Sequence, residues 1–288
     1  MREDLVVSKS NSLVEASYRM NVSEQRVLAL LVAQIHPDDE DFRPYRFKVA
    51  ELAKLIETKT KAAYGEVREL TRGLMKRVIQ IEEADGPLQI AWMSSAKYFT
   101  GKGEVELCFD PKLKPYLLQL QSRFTSYKLR NVVKLRSRYS VRLYELLKQY
   151  EAFGKRSFEL TELRKTLGLT ESEFTLWADF RRNVLELAER ELPKKTDIGF
   201  SYSARKSGRA VTSVDFTIWK TREKDLPSKK VKALTAAAAK CRTDCNQSCA
   251  AQWNTHKSNP TINCYWCKKF ERQRLEANGQ EQLPGISS

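Results

Sequence analysis

The sequence predicts an α+β protein made of two tandem domains of one plan, followed by a linker and a small cysteine-rich tail. A ten-residue segment occurs twice, as FKVAELAKLI at residues 47–56 and as FELTELRKTL at residues 158–167. The same order of helix, strand and turn patterns surrounds both copies. After Lys220 the chain becomes a charged stretch and then a segment rich in alanine and cysteine. We therefore expect domains at residues 1–122 and 123–220, and a linker with its tail at residues 221–288.

The first half opens with an apolar-faced helix at SEQRVLALLVAQI, and the repeated segment follows as a short strand, RFKV, and a short helix, AELAKLI. A longer helix pattern comes next, in TKAAYGEVRELTRGLMKRV. Its predicted buried side comprises Val67, Leu70, Leu74 and Val78. Its predicted exposed side comprises Lys61, Arg68, Arg72 and Lys76. A hairpin pattern with turns at residues 85–87 and 101–103 completes this half.

The second half repeats that order. An apolar stripe in SRYSVRLYELLKQY predicts its first helix, through Tyr139, Leu143, Leu146, Leu147 and Tyr150. The strand SFEL and the helix TELRKTL follow, and then a helix over residues 171–192, where Thr170 and Glu173 have capping-box spacing. Its predicted buried stripe comprises Phe180, Val184, Leu187 and Ala188, which leaves Arg181 and Arg182 exposed. The closing hairpin turns near residues 206–208.

Helix, strand, short helix, basic helix and hairpin is the order of a winged helix, so the sequence predicts two winged-helix domains in tandem. In such a domain one helix enters the DNA major groove, where Arg and Lys meet phosphates and guanine edges. The wing tips can reach neighbouring phosphates or the minor groove. The candidate wing residues are Lys97 and Lys102, and Arg205, Lys206 and Arg209. Solvated surface charge is the alternative for any one of them, but recurrence in both halves favours DNA contact.

Charge and composition agree with a polyanionic partner. Hydrophobic residues make up 41% of the 288, enough for buried cores, and 51 Lys and Arg against 36 Asp and Glu give a net charge of +15. Such a charge attracts nucleic acid first and anionic membrane second. VLALLVAQI is only nine residues long, too short to span a membrane, and the N-terminus lacks an apolar signal core. We expect a cytoplasmic protein with no membrane partner; a merely basic surface is the alternative.

A family resemblance rests on YSVRLYELLKQYEAFGKRSFELTELRKTLGL and on FRRNVLELAERELPKKTDIGFSY. These segments resemble the iteron-binding initiators of theta-replicating bacterial plasmids, the RepA/RepE/Pi-like group. The opening VVSKSNSLVEASYRMNVSEQRVLALLVAQI is also similar to the usual start of that family. The resemblance covers about residues 5–220 and is most specific over residues 139–216.

The resemblance implies two winged-helix domains that straddle a repeated DNA element, the iteron, with the second domain supplying the main major-groove helix. Arg181 and Arg182 would then be among its contacts. The first domain would grip the adjoining groove and provide a dimer surface. Monomers would bind iterons and open the origin with the host initiator and the replicative helicase, and dimers would repress the protein's own promoter.

The segment SYKLRNVVKLRSRYS, between the two predicted domains, is also basic. The resemblance implies that it faces the DNA backbone. Its candidate phosphate contacts are Lys128, Arg130, Arg136 and Arg138. Solvated linker charges are the alternative, but no acidic residue lies between Lys128 and Arg142, which favours phosphate contact.

The sequence lacks the motifs of enzymes that act on DNA. The two histidines, His36 and His256, provide no paired-histidine metal site beside a nucleophilic tyrosine. None of the 11 glycines begins a G-x-x-x-x-G-K-[ST] loop for ATP. The acidic run DDED at residues 38–41 could hold a cation, although a solvated loop is the better interpretation. We therefore expect a binding protein without catalytic residues.

The tail contains five of the six cysteines, and Cys245, Cys249, Cys264 and Cys267 have the spacing C-x3-C-x14-C-x2-C. This spacing is typical of a structural zinc site, with Cys241 and His256 as alternative ligands. An iron–sulfur cluster and a flexible basic tail with incidental thiols are the other readings. The favoured one is a small zinc module. It lies outside the family pattern.

Three functions are compatible with these observations. The favoured one is a plasmid replication initiator that binds double-stranded origin repeats. The second is a plain winged-helix transcriptional repressor, and the third is a scaffold whose basic surface binds a host protein. Direct DNA repeats beside the coding region would favour the initiator, and a lone palindrome the repressor. Salt dependence tests the scaffold, because phosphate binding weakens steeply with added salt.

Overall fold

The structure is a computed structural model that describes residues 5–58 and 62–221. The predictions for Lys61 and for the linker and cysteine tail after residue 221 lie outside the described residues. Within these ranges, no helix is long and apolar enough to cross a membrane.

Among its described residues, the first half contains six strands and five helices before the expected boundary at residue 122. They are β1 (Val6–Ser10), α1 (Asn11–Glu15), α2 (Val22–Val32), β2 (Tyr45–Lys48), α3 (Val49–Leu55), α4 (Ala63–Met75), β3 (Val78–Glu83), β4 (Gly86–Ala91), β5 (Met93–Phe99), β6 (Glu104–Phe109) and α5 (Lys114–Leu117). A single 3₁₀ turn, Pro111–Leu113, precedes α5. Helix α2 starts at a capping box, in which Asn21 and Glu24 exchange 2.8 Å side-chain-to-backbone hydrogen bonds.

The second half begins with β7 (Phe124–Lys128), α6 (Leu129–Val133) and α7 (Arg138–Lys148). It continues with β8 (Lys155–Glu159), α8 (Leu160–Thr166), α9 (Trp177–Phe180), a π-helical turn (Arg181–Leu185), α10 (Glu186–Lys195), β9 (Ile198–Ser207) and β10 (Ala210–Lys220).

The repeated segment forms the same two elements in both halves, as the sequence predicts. In the first copy β2 leads directly into α3, and in the second β8 leads into α8. Each short strand joins a three-stranded antiparallel sheet with the two strands of its wing, in the orders β2-β6-β5 and β8-β10-β9. The last wing strand is central in both sheets. The order of elements and the sheet topology are therefore those of two winged helices, which confirms this part of the predicted fold.

The first half contains an additional hairpin, β3–β4, between α4 and the wing. The single hairpin pattern of the sequence thus corresponds to two hairpins. The predicted turn at residues 85–87 belongs to β3–β4, and the one at residues 101–103 belongs to β5–β6. The prediction for Val78 was wrong, because α4 ends at Met75 and Val78 starts β3 with half of its surface exposed. The other predicted residues face inward, with Val67 and Leu74 buried and Leu70 half-buried.

The long helix predicted over residues 171–192 begins six residues later than expected. Thr170 and Glu173 do interact, since the Thr170 backbone N–H donates to the Glu173 carboxylate at 3.0 Å. They close a turn and not a helix, because Phe174 adopts a positive φ of 49° that interrupts helical geometry. Helix α9 starts only at Trp177.

The π-helical turn then changes the buried stripe of this helix. A π turn contains one residue more than an α-helical turn, so it rotates the following side chains around the axis. Leu185 is fully buried as a result, and Leu187, predicted to be buried, is half-exposed. Phe180, Val184 and Ala188 are buried as predicted.

Helix α7 lies at the centre of the described body. Residues 139–147 are all buried, polar ones included, and the hydrophobic core is continuous from the first half to the second. Strand β7, which follows the expected domain boundary between residues 122 and 123, pairs antiparallel with β1 from Val6–Lys128 to Ser10–Phe124. Residues on both sides of the expected boundary therefore share one sheet and one hydrophobic core.

Candidate DNA interface

Arg181 and Arg182 lie side by side in the π-helical turn, with their side chains 50% and 70% exposed. The Arg181 Nε lies 3.1 Å from Glu186 Oε1, and the Arg182 Nη2 lies 2.8 Å from Asp179 Oδ1. Such exposed ion pairs contribute at most about 1 kcal/mol. Because the pairs are weak, both arginines can turn toward a phosphate or a base edge.

The same helix presents carboxylates beside its arginines, which the sequence analysis missed. Asp179 and Glu186 pair with the arginines, and Glu189 lies half-buried one turn further along. Burial, and then repulsion from Glu186, raise the pKa of Glu189. In a major groove a carboxylate can accept a hydrogen bond from the amino group of cytosine. Acidic residues next to the arginine pair were the signal in the sequence.

A notch of about 560 Å³ separates this helix from the second wing. Arg181, Glu186 and Arg190 line it from the helix, and Tyr202 and Ala204 line it from β9. Helix and wing thus present one concave surface, to which the helix contributes charges of both signs and the wing contributes Tyr202 and Ala204.

The second wing extends from this notch as the long hairpin β9–β10, with the exposed Lys206 near the end of β9 and the exposed Arg209 in the turn. Arg205 is also exposed and pairs with Asp215 of the neighbouring strand. The side-chain hydrogen bond from Ser157, and then the one from Arg205, lower the pKa of Asp215. The wing tip can therefore offer Lys206 and Arg209 to DNA while Arg205 is held along the strand.

The basic helix of the first half is α4, where Arg68, Arg72 and Lys76 are exposed as predicted. Arg72 forms an exposed 2.6 Å ion pair with Glu69 on the same helix. These side chains occupy the place in the first half that Arg181 and Arg182 occupy in the second, on the helix that follows the repeated segment.

Three basic side chains lie near one aromatic ring of the first wing. Phe99, at the end of β5, has the Arg46 guanidinium 4.5 Å from its ring centroid and the Lys97 ammonium at 5.3 Å. Lys102, in the turn, lies at 6.0 Å. Cation–π attraction holds these side chains beside Phe99. Arg46, from β2, also pairs with Glu106 at 2.8 Å, which leaves Lys97 and Lys102 as the basic groups of the wing.

The predicted phosphate contacts of the segment before α7 differ in their surroundings. Lys128 and Arg136 are exposed, and Arg130 is half-buried. Arg138 donates to the Glu173 carboxylate at 3.0 Å and lies over the ring of Tyr139. Arg138 therefore also holds the turn before α9 in place.

Glu173 connects the two halves as well. Arg19 makes two hydrogen bonds to its carboxylate, at 2.7 and 3.1 Å. Close by, the Ser17 hydroxyl donates to the Lys165 carbonyl oxygen at 2.6 Å. These bonds fix the loop before α2 against the end of α8 and the turn that precedes α9.

A buried charged cluster lies beneath this contact, and sequence analysis did not predict it. Glu145 of α7 accepts from Lys9 at 2.6 Å and from Arg142 at 2.9 Å. Tyr18 and Tyr127 also donate to the Glu145 carboxylate. All five side chains are buried. Arg142 also donates to the backbone carbonyls of Val14 and Ala16 at 2.9 Å and of Thr166 at 3.4 Å.

The charges of the cluster shift the pKa of its members. Burial alone would raise the pKa of the Glu145 carboxyl, but attraction to Lys9 and Arg142 outweighs it and holds that pKa at about 2. Burial lowers the pKa of the Lys9 ammonium and raises that of the Tyr127 hydroxyl. Removing one charge would leave its partner buried without compensation, which is strongly destabilising.

Two winged helices in one body, each with a basic helix and a basic wing, define a tandem winged-helix DNA-binding protein. The family model described as "Initiator Replication protein, WH1" matches residues 6–148, and "Initiator Rep protein, WH2" matches residues 159–218. The chain belongs to this family of plasmid replication initiators.

Individual relatives agree with that membership. A "Replication initiation protein" of Escherichia coli is 31% identical over 150 residues, which span 50% of this chain and 46% of that protein. The "PI protein" of Escherichia coli is 25% identical over 247 residues, 72% of this chain and 80% of that protein. An "Uncharacterized 27.6 kDa protein" of the same organism is 26% identical over 74% of this chain and 95% of its own length.

A solved structure shows the same fold. The crystal structure of the Pi initiator protein in complex with iteron DNA matches with a TM-score of 0.63 at 21% identity, over 77% of this chain and all of that chain.

Proposed function

We propose that this protein binds the repeated DNA of a plasmid origin through both winged helices and thereby helps to open the origin. The observation that supports it most is the duplicated basic surface, in which a basic helix and a basic wing tip recur in each half. Membership of the initiator family and the iteron complex of the Pi initiator protein point to the same kind of DNA.

The surface of each half suits a separate part of one DNA site. A winged helix reads about one turn of the major groove with its helix and holds the flanking backbone with its wing. Two such units in one body cover about two successive turns. The protein's role is binding and positioning, and we propose no catalytic step.

The test is a footprint of the intact protein on its own plasmid origin. We expect protection of direct repeats over about two helical turns each. The double variant Arg68→Ala/Arg72→Ala should shorten each footprint by about one turn from one side, and Arg181→Ala/Arg182→Ala should abolish specific protection. A footprint of one turn that the first double variant leaves unchanged would contradict the two-domain arrangement.

The same experiment separates the alternatives. Protection of a lone palindrome at the promoter would favour a plain repressor, and affinity that is insensitive to salt would favour a protein-binding scaffold. Repression of the protein's own promoter by dimers, and recruitment of the host initiator and replicative helicase, are further parts of the proposal that rest on the family resemblance alone.

We also propose a zinc module in the tail, with Cys245, Cys249, Cys264 and Cys267 as ligands. Its support is the sequence spacing, because four thiolates complete the closed tetrahedral shell of a structural zinc ion.

A further inference from the structure

The ribbon formed by β1 and β7 has a large, exposed apolar side chain at each end of one face. Its inner face contributes Val7, Lys9 and Tyr127 to the buried interior. On its outer face Val6 is 51% exposed and Phe124 is 42% exposed. Val6 and Phe124 lie at opposite ends of this face, with the hydrogen-bonded Ser8 and Ser126 between them, and a groove that includes both marks a candidate interaction surface.

These side chains belong to a groove of about 620 Å³, which we name the ribbon groove. Its apolar lining includes Val6, Ile35, Leu120 and Phe124, polar side chains such as Ser8, Gln119 and Gln121 lie between them, and its rim includes Asp38 and Glu40. The volume lies within the range of about 300–1,000 Å³ that binding pockets have. The groove is therefore large enough for several apolar side chains of a partner.

The charge of the rim is opposite to that of the protein as a whole. The chain has a net charge of +15, yet the loop at residues 38–41 reads DDED. Lys114 engages Asp41 at 2.8 Å, and the hydrogen bond from Lys114 is the main cause that lowers the pKa of Asp41. Asp38, whose carboxylate lies 3.2 Å from His36 Nδ1, and Glu40 are exposed on the rim. DNA would be repelled here, and a basic peptide would be attracted.

The ribbon groove shares no residue with the candidate DNA interface. Its walls come from β1, the end of α2, the loop after it, α5 and the start of β7. The DNA candidates of the first half lie on α4 and on the β5–β6 wing, whereas Lys128, a candidate phosphate contact, is the cross-strand partner of Val6 at the end of the ribbon. A partner could thus occupy the groove while the helices hold DNA.

We propose that the ribbon groove binds a basic amphipathic helix of another protein. Leucine-like side chains on one face of that helix would cover Val6 and Phe124, and its Lys or Arg residues would lie against Asp38 and Glu40. This is the helix-in-groove mode, in which apolar anchors supply affinity and rim charges supply orientation. The proposal goes beyond DNA binding and gives the initiator a separate protein-docking surface.

The probe for the test is a fluorescein-labelled 18-residue peptide with leucine and lysine at helical spacing. Its control is a peptide with the same lysines and with serine at every leucine position. Fluorescence anisotropy with the full-length protein at physiological salt should show saturable binding of the leucine peptide and at least about tenfold weaker binding of the serine peptide.

Two variants test whether the peptide binds in the groove. Phe124→Ser removes an apolar anchor that is already exposed, and Glu40→Lys reverses a rim charge. Each should weaken the leucine peptide by about tenfold or more. Asp85→Lys makes the same kind of charge change in the exposed β3–β4 turn and should alter binding by less than about twofold.

Three results would overturn the proposal. They are an absence of saturable binding, equal effects of Asp85→Lys and Glu40→Lys, and groove variants that dissolve a dimer in sedimentation while peptide binding stays unchanged. In the last case a second copy of this chain is the occupant. Origin DNA affinity is measured on the same variants, and we expect it to be unchanged. A failure of peptide binding alone therefore leaves the proposed DNA function intact.

Discussion

Gly168 of the second half lies directly against the main chain of Tyr18 in the first half. A Cβ atom on Gly168 would stand only 2.4 Å from the Tyr18 carbonyl oxygen, and Gly168 has a positive φ of 66°. Glycine is required here for both reasons, because other residues rarely adopt this φ and none could fit beside Tyr18. This contact sets the distance between the turn after α8 and the loop before α2.

We expect Gly168→Ala to destabilise the protein far more than a comparable change elsewhere. Gly208, in the second wing turn, has a similar φ of 63° but no atom within 4 Å of its Cβ position. Gly208→Ala should cost about 1–2 kcal/mol for its backbone conformation alone. Gly168→Ala should cost about 1–3 kcal/mol more because the halves must move apart. Urea unfolding of both variants measures the difference, and equal costs would show that the contact with Tyr18 is unimportant.

The buried cluster predicts a specific loss of stability in acid. Because the folded-state pKa of Glu145 is lowered to about 2, its contribution is complete above its unfolded-state pKa of about 4.3 and is lost as the pH falls toward 2. The contribution is about 3 kcal/mol. Unfolding free energies of the wild type and of the double variant Lys9→Met/Glu145→Gln are compared at pH 7, 5 and 3. The unfolding free energy of the double variant should fall less on acidification, because it lacks the contribution of Glu145. Asp85→Asn, which removes an exposed carboxylate, should retain it; parallel profiles for wild type and double variant would contradict the prediction.

The arginine pair of the π-helical turn should determine base discrimination. One of these arginines, Arg181 or Arg182, should reach a base edge. Its change to alanine should weaken specific DNA binding by about 1–3 kcal/mol. Competition of cognate against scrambled DNA measures it. Lys112→Ala removes a charge from the 3₁₀ turn before α5 and serves as the control. If neither arginine changes discrimination, another face of this helix reads the DNA.

Lys206 at the second wing tip should act on all sequences alike. Lys206→Ala removes one phosphate contact, so affinity for cognate and scrambled DNA should fall together. The slope of log K against log salt should decrease in magnitude by about 0.9. Titrations at four salt concentrations give the slope. A loss confined to cognate DNA would instead assign Lys206 to base recognition.

The purified full-length protein should contain about one zinc ion per chain if the tail cysteines act as proposed. Cys264→Ser should release the metal, because three thiolates no longer close the shell. Cys108, half-buried in β6, provides the matched control, and Cys108→Ser should keep the zinc. Metal analysis under reducing conditions decides between the zinc module and a tail of free thiols.

The features that sequence analysis predicted best are those with a local period or an internal copy. The strand-and-helix pair around Phe47 and Phe158 was correct in both halves, since alternation followed by helical spacing needs no distant partner. The exposed positions of Arg68, Arg72, Arg181 and Arg182 followed from the same spacing. Whether these residues contact DNA remains a prediction.

The features that it missed depend on distant contacts. The capping-box spacing of Thr170 and Glu173 was misleading, because Arg19 and Arg138 draw Glu173 into a turn instead. The buried state of Lys9 and Glu145 could not be predicted either, since the two residues are 136 positions apart and charged side chains are rarely buried. Helical periodicity alone does not predict the position of a π-helical turn.

The central position of α7 decides where related initiators can exchange parts. A hybrid joined between residues 122 and 123 would take β1 from one parent and β7 and α7 from the other, so Lys9 and Tyr18 would meet a foreign Glu145. If the two parents are joined in the turn between Lys148 and Lys155, all side chains of the cluster come from one parent. The Thr166 carbonyl, which accepts from Arg142, then comes from the other parent, but any residue supplies a backbone carbonyl. Recombination between plasmids should therefore preserve function only when the crossover falls after α7, and the inherited unit would be longer than the first winged helix alone.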